Sequence, residues 1–239
     1  MSFKKKEDFW IPYADLMTVL MAIFLFIAIA FMAEIQRQNK SKNKLIEDYQ
    51  KSKKDIYDDL NTIFKNDFKR WNLELDKDLS IRFSDPKILF ASQQEELPNK
   101  FKLVLNDFFP KFLKVINNKK YRGKIQEVRI EGHTDDLPIV RNTVDPYIDN
   151  MTLSQTRARN VLFHFRRRPE YLRLSLEDRK YLSFVLTANG LSYGRTLDKN
   201  KKFSYQTSKT INRDFSRRVE FKIVTSSEQI IKDLASQIE

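Results

Sequence analysis

The sequence has no cysteine. A disulfide framework is excluded, and the redox compartment stays open, because the count suits an oxidising space and the cytosol alike. Glycine is scarce, at four residues in 239, which argues against a glycine-rich phosphate loop or a low-complexity scaffold. No repeat at a fixed period is visible, and there is neither a G-x-S-x-G elbow nor an H-E-x-x-H helix. Histidine occurs only twice. His133 with the loop acids Asp135, Asp136 and Asp145 lacks recognisable ligand spacing, and His164, between Phe163 and Phe165, reads as structural or surface-exposed. No enzymatic activity, metal or cofactor is expected.

Positive charge is abundant: 44 Lys and Arg against 32 Asp and Glu, a net charge of +12. That balance suits nucleic acid, anionic headgroups or an acidic wall polymer. The basic residues are spread along the whole chain with no aromatic-interleaved recognition motif, so no nucleic-acid partner is expected.

There is one long apolar run. From Leu16 to Ala33 the only polar residue is Thr18. Extended back to Pro12 it has 22 residues, roughly 33 Å of helix at about 1.5 Å per residue, enough to cross a bilayer core. Lys4, Lys5 and Lys6 precede it, and Trp10 and Tyr13 stand where an interfacial aromatic belt belongs. By the positive-inside rule the N-terminus is cytoplasmic and the remainder, from about Glu34, lies outside the cytoplasm. A cleavable signal peptide is the rival, with Ala28-Ile29-Ala30 as its site. Against it, the apolar run continues past Ala30, and Glu7, Asp8 and Asp15 stand where a signal is basic.

Asp15 opens this run without a basic residue beside it. It reads either as an interface residue, snorkelling or capping the helix, or as part of an ion pathway. A charge in lipid costs roughly 3 kcal/mol or more unless something compensates it. An ion site there needs partner helices to enclose it.

The stretch Phe9-Trp10-Ile11-Pro12-Tyr13-Ala14-Asp15-Leu16-Met17-Thr18 resembles the signature of MotB-type stator subunits. The resemblance implies that Asp15 carries the ion, with Tyr13 and Thr18 as its neighbours in the pathway. It also implies two copies of this chain within a ring of five multi-helix partner subunits. From 34 to 70 the chain is polar, and Ile56, Leu60, Ile63 and Phe64 fall on one face of an amphipathic helix. That face predicts packing on the following domain or on a second copy; the family resemblance adds a possible channel plug.

Beyond Arg70 the pattern becomes α/β. Leu73–Leu75 and Leu79–Phe83 read as a hairpin across Asp76-Lys77-Asp78, and Phe101–Ile116 as an amphipathic helix interrupted or bent near Pro110. Gln126–Glu131 reads as a strand, and Thr152 with Gln155 as a capping box opening a helix. Phe184–Thr187 and Arg218–Val224 supply two more strands.

Gly132-His133-Thr134-Asp135, then Asn150, Leu153, Ser154, Arg157 and Ala158, then Arg217-Arg218-Val219-Glu220 resemble, in order, the motifs of OmpA-like domains. Gly190 and Gly194 stand near that family's glycine-containing turn. The fold expected is a single transmembrane helix followed by an OmpA-like, peptidoglycan-binding α/β sandwich. The segments are a tail over 1–11, a span over 12–33, a linker over 34–70, the domain over 71–225 and a tail over 226–239.

The resemblance implies that Asp135 and Arg157 hold the amine and carboxylate of diaminopimelate in the peptide stem of peptidoglycan, with Thr134, Asn150, Ser154 and Arg218 around them. If the helix opens at Thr152, Arg157 lies about one turn in, beside N–H groups that favour a carboxylate. The competing reading is an Asp135–Arg157 salt bridge without ligand. Asp136-Leu137-Pro138 replaces the family's glycine-containing loop, and Ser216 its asparagine, and both changes bear on wall affinity.

The whole reads as a single-pass inner-membrane protein with a periplasmic C-terminal domain, the ion-carrying anchor of a proton- or sodium-driven rotary motor. The Phe-Trp-Ile lead-in resembles ZorB subunits of Zorya anti-phage systems, with a ZorA-like partner, more than flagellar MotB with MotA. A passive OmpA-like wall anchor is the reading from another class.

Overall fold

The computed structural model describes residues 10–83, 85, 90, 94–139 and 145–226, with side chains from Tyr13 onward. The tails up to residue 9 and beyond 226, and the side chains of Trp10 to Pro12, lie outside the described residues. The chain divides into two units, Met1–Asp48 and Tyr49–Glu239.

Helix α1 runs Trp10–Phe64. Its apolar part is long and hydrophobic enough to cross a membrane, and no other helix among the described residues is. Within the second unit the end of α1 behaves as the amphipathic pattern predicts. Ile56, Leu60 and Phe64 are fully buried in the domain core, with Phe64 stacked on Phe108 at 5.0 Å. The last part of the expected linker is thus an integral part of the domain, because its apolar face has a partner surface there.

Among the described residues five strands form one sheet: β1 (Leu73–Leu75), β2 (Ser80–Phe83), β3 (Ile125–His133), β4 (Leu186–Gly190) and β5 (Arg218–Thr225). Their spatial order is β1-β2-β5-β3-β4, antiparallel except for β3 with β4. Helices α2 (Asn99–Ile116) and α3 (Pro146–Arg166) cover one face, with α5 (Leu176–Val185) adding Leu182 and Val185 to the core; α4 (Pro169–Leu172), α6 (Ser204–Thr207) and α7 (Arg213–Ser216) are single turns.

Strand alternation divides the sheet cleanly. Ile81, Phe221 and Ile130 sit opposite one another across β2, β5 and β3 and point into the core. From α2, Phe101, Leu105, Phe108, Phe109 and Phe112 fill the space above them. Phe221 lies within ring contact of Phe83, Phe108, Phe109 and Phe112, at 4.8–6.0 Å. Such pairs add about 0.5–1.5 kcal/mol each beyond burial.

Three expectations are corrected. Helix α2 runs unbroken through Pro110. Helix α3 opens at Pro146, capped by Asp145, whose side chain accepts from Tyr147 N–H at 2.8 Å. Asp at the cap and Pro at the first position make the stronger start. Thr152 is mid-helix, its hydroxyl donating to the Ile148 carbonyl. Arg157 therefore lies three turns in, and the helix-terminus argument for a carboxylate does not apply to it. Finally, Phe184 and Val185 end α5, nucleated by Ser175 accepting from Asp178 N–H, and the strand begins at Leu186.

Helix α3 lies so close to the sheet that a methyl group on Gly132 would come within 2.3 Å of the Ser154 carbonyl oxygen. On Gly190 it would come within 2.3 Å of Gln155 N. Gly132→Ala is expected to cost about 3 kcal/mol or more, at the top of the overpacking range. Gly123→Ala, at φ +81° with nothing within 4 Å, should cost only about 1 kcal/mol. Thermal melting of the full chain in detergent checks this order; equal melting temperatures for the two variants would contradict the packing.

Candidate functional site

Strand β3 ends at His133, and Thr134 and Asp135 continue from it, tied back by Thr134 N–H donating to the Ser192 carbonyl at 3.0 Å. The glycine contacts bring the first half of α3 across this end of the sheet. In its first turns the Asn150 amide donates to the carbonyls of Leu137 and Pro146, both at 3.1 Å, pinning the loop after β3. The result is a cavity of about 190 Å³ lined by Thr134, Asp135, Leu137, Pro138, Ile139, Asn150, Leu153, Arg157 and Arg217.

Four expected residues, Thr134, Asp135, Asn150 and Arg157, converge here, and all four are buried. Asp135 does not pair with Arg157. It accepts from Arg217 Nη1 at 2.5 Å and from Leu137 N–H at 3.2 Å. Arg157 donates through Nε to the Gln94 carbonyl at 2.9 Å, its guanidinium 4.9 Å from the centroid of the Phe90 ring. Thr134 Oγ1 and Asn150 Oδ1 are buried and have no hydrogen-bond partner among the described residues. Buried polar atoms are rarely left so. Both residues line the cavity.

The other two expected residues lie elsewhere. Ser154 is fully buried; its hydroxyl donates to the Met151 carbonyl and accepts from Ser192 N–H at 3.0 Å, fastening the turn after β4 to α3. Arg218 faces away from the cavity. It stands opposite His133 in the β3–β5 register, bonded to Glu220 and to the carbonyls of Arg195 and Ser216. Its neighbour Arg217 is the cavity arginine. Arg217 caps the end of α7 and Arg218 is the first residue of β5, so the doublet marks the place and the change of element between the two decides which side chain reaches the cavity.

In the first unit, Asp15 and Thr18 fall one turn apart on α1 and are exposed, as is Tyr13. The Thr18 hydroxyl donates to the Ala14 carbonyl at 2.8 Å.

No family model matches the chain. Zorya protein ZorB of Escherichia coli (strain Crooks) is 36% identical over 239 residues, covering 98% of this chain and 96% of that one. The chain belongs to the ZorB family. A ZorB protein of a second Escherichia coli strain is 22% identical over 246 residues, covering all of this chain and 89% of that one. Among solved structures, a MotB-like protein from Desulfovibrio vulgaris aligns with TM-score 0.49 at 23% identity, covering 75% of this chain and 98% of that one. The periplasmic domain of MotB aligns with TM-score 0.43 at 15% identity, covering 69% and 75%.

This ZorB-family chain carries its second cluster on the sheet face opposite the core. Arg82, Glu220 and Glu131 stand in one row across β2, β5 and β3, all buried. Two acids directly opposite repel. Arg82 at 2.8 Å and Arg218 at 2.5 Å hold Glu220, and Arg195 lies 3.7 Å from Glu131. His133, buried beside them with its Nε2 3.7 Å from Glu131, is held below the usual imidazole value by burial and then by Arg218. Glu131, His133 and Glu220 have ligand atoms close enough to hold a metal, but the arginines already take Glu220. The donor set fits an ion-pair network.

Burial alone would raise the Glu220 carboxyl, yet Arg218, His133 and Arg82 hold it well below the usual carboxylate range. A depressed carboxylate contributes stability above its unfolded value that is lost as the pH falls. Wild-type stability should therefore decline below about pH 4, where a free glutamate protonates. Glu220→Gln leaves Arg218 buried beside a neutral partner, and should cost about 3–5 kcal/mol at neutral pH while flattening the acid limb. Melting curves from pH 3 to pH 7 test this, and an acid limb unchanged by the substitution would count against it.

Proposed function

We propose that the chain is the ion-carrying, wall-anchoring subunit of an ion-driven rotary membrane motor acting in anti-phage defence. The observation that carries the anchoring half is the cavity where Thr134, Asp135, Asn150 and Arg157 meet. Its acid and its arginine offer complementary grips for a zwitterionic end group. A carboxylate has about four acceptor sites, so Asp135 can take an ammonium while keeping Arg217. Thr134 Oγ1 and Asn150 Oδ1, otherwise unpartnered, add a hydroxyl and an acceptor. Diaminopimelate in the peptide stem of peptidoglycan has these groups.

The ion-carrying half rests on Asp15, an acid within the apolar part of α1, in a chain of the ZorB family. One helix per chain cannot enclose a charge in lipid. A MotA/ZorA-like multi-helix partner supplies the walls, in the arrangement of five around two copies of this chain. Thr18, one turn from Asp15, and Tyr13 complete the polar path. The N-terminus is cytoplasmic, the span lies in the inner membrane and the domain is periplasmic. The identity to a ZorB protein favours defence over flagellar motility.

Asp15→Asn keeps the size and removes the titrating group, so membrane insertion should persist while ion-coupled activity is lost. Phage plaquing efficiency on cells carrying the variant reads this, beside a membrane-fraction blot. Full protection would reduce Asp15 to an interface residue. Deleting the gene should raise plaquing and leave swimming in soft agar intact; lost swimming with unaltered plaquing would favour the flagellar reading.

For the wall, Asp135→Ala and Arg157→Ala should each lower co-sedimentation of the detergent-solubilised chain with purified sacculi by about tenfold or more, since each removes a charge-assisted grip of about 1.5–3 kcal/mol. Melting should remain cooperative. Sedimentation unchanged in both variants would leave the cavity a structural feature only.

A further inference from the structure

Helix α3 carries a second concavity beyond the first. Arg157, Asn160, His164 and Arg167 recur at helical spacing along one face. Past Asn160 a groove of about 470 Å³ opens, walled by Leu97, Lys102, Phe163, His164 and Arg167, with Glu96 at its side. Both concavities are lined from α3, the first by Arg157 and the second by Asn160. The backbone of Gln94 and Glu95 lies across α3 between them, its carbonyls accepting from Arg157 Nε and Asn160 Nδ2, each at 2.9 Å.

The groove is electropositive, with Lys102 and Arg167 against Glu96. His164 registers that field: burial first, then Arg168 and Lys102, hold it below the usual imidazole value. Its Nε2 lies 2.9 Å from Asn106 Oδ1, which fixes the ring. Beside it Phe163 presents an aromatic ring that is 58% exposed, with the Arg167 guanidinium 5.2 Å from its centroid. A cationic edge beside a half-open aromatic face suits a carboxylate joined to a sugar, whose ring C–H groups and N-acetyl methyl pack on π-surfaces.

We infer that the groove is a second subsite of the wall site, taking the glycan-linked end of the same peptide stem. A carboxylate of the stem meets Lys102 and Arg167, and the sugar lies against Phe163. The inference rests on the reading of the first cavity given above. The spacing agrees with it. Seven residues of helix from Arg157 to His164 rise about 10 Å, and two to three extended residues between a diamino acid and its sugar cover about the same length.

The test uses the full chain in detergent and two probes: a disaccharide–tripeptide muropeptide bearing diaminopimelate, and the same tripeptide without sugars. Wild type should bind the muropeptide roughly tenfold tighter, a step of about 1.4 kcal/mol. Phe163→Ala should abolish that advantage and leave tripeptide affinity unchanged, Arg167→Gln should weaken both probes because each carries the stem carboxylate, and Asp135→Ala should weaken both as well. Equal wild-type affinity for the two probes, a Phe163→Ala variant that weakens both alike, or an Arg167→Gln variant that weakens neither, would overturn the second subsite and leave the first standing. If neither probe binds wild type, the first cavity fails as a wall site and the groove fails with it.

Discussion

The candidate wall site depends on how near α3 approaches the sheet. At Gly132 and Gly190 the backbone of Ser154 and Gln155 occupies the space where any side chain would stand. The approach is then fastened by polar contacts that need it. The Gln155 side chain accepts from Gly190 N–H at 2.6 Å and donates to the Ala188 carbonyl at 2.9 Å, satisfying backbone groups of β4, the last strand of the sheet. Bonds to an unpaired edge normally come from another strand or from water; here a helix side chain supplies them. Because α3 is fixed at this depth, Asn150 reaches the loop after β3, and Arg157 meets the Thr134–Asp135 corner. A wider helix–sheet separation would hold these groups apart.

The same strand, β3, serves two unlike faces. Val128, Ile130 and Gly132 point at the helices, while Glu131 and His133 join the ionic row with Arg82, Arg218 and Glu220. A buried row of charges is a poor source of net stability, since desolvation offsets most of the attraction. What it does supply is register. A one-residue slip of β5 would place Glu220 in the apolar layer and Phe221 among arginines. Arg218, the first residue of β5, is committed to this row, and the cavity arginine is its neighbour Arg217, which caps α7 and pairs with Asp135.

Much of this was legible in the sequence because its signals are local. The strand into Gly132-His133-Thr134-Asp135, the hairpin across Asp76-Lys77-Asp78 and the apolar face at Ile56, Leu60 and Phe64 depend on periodicity and turn residues close at hand, and the structure holds all three. The start of α3 is hard to read locally because Thr152 with Gln155 imitates a cap, although Asp145-Pro146 is the better one. Helix α5 leaves a weak trace in the sequence because its apolar residues gather in its second half, where Phe184 and Val185 read as the start of a strand, and Ser175 with Asp178 is its main mark. The assignment of Arg218 in place of Arg217, and the strap of Gln94 and Glu95 across α3, turn on contacts 63 to 82 positions apart. No local pattern encodes those; they follow from register and from how closely two elements pack.

Under the proposed reading, the two halves of the chain set a condition on each other. An ion crossing the membrane delivers about 2.3 kcal/mol per 100 mV, and only a fixed subunit converts that into rotation of its neighbours. A wall contact of micromolar affinity stores about 8 kcal/mol, several times the work of one ion step. Two copies engaged on one polymer add an effective-concentration gain without any new contact. A single small cavity of about 190 Å³ is therefore sufficient as an anchor when it grips charge-assisted groups and is present twice. What it cannot tolerate is loss of geometry, since a zwitterionic ligand read by an acid and an arginine is recognised only while the distance between them is held. The close approach at Gly132 and Gly190 maintains that distance, and so the contact between α3 and the sheet becomes a requirement of the motor's grip.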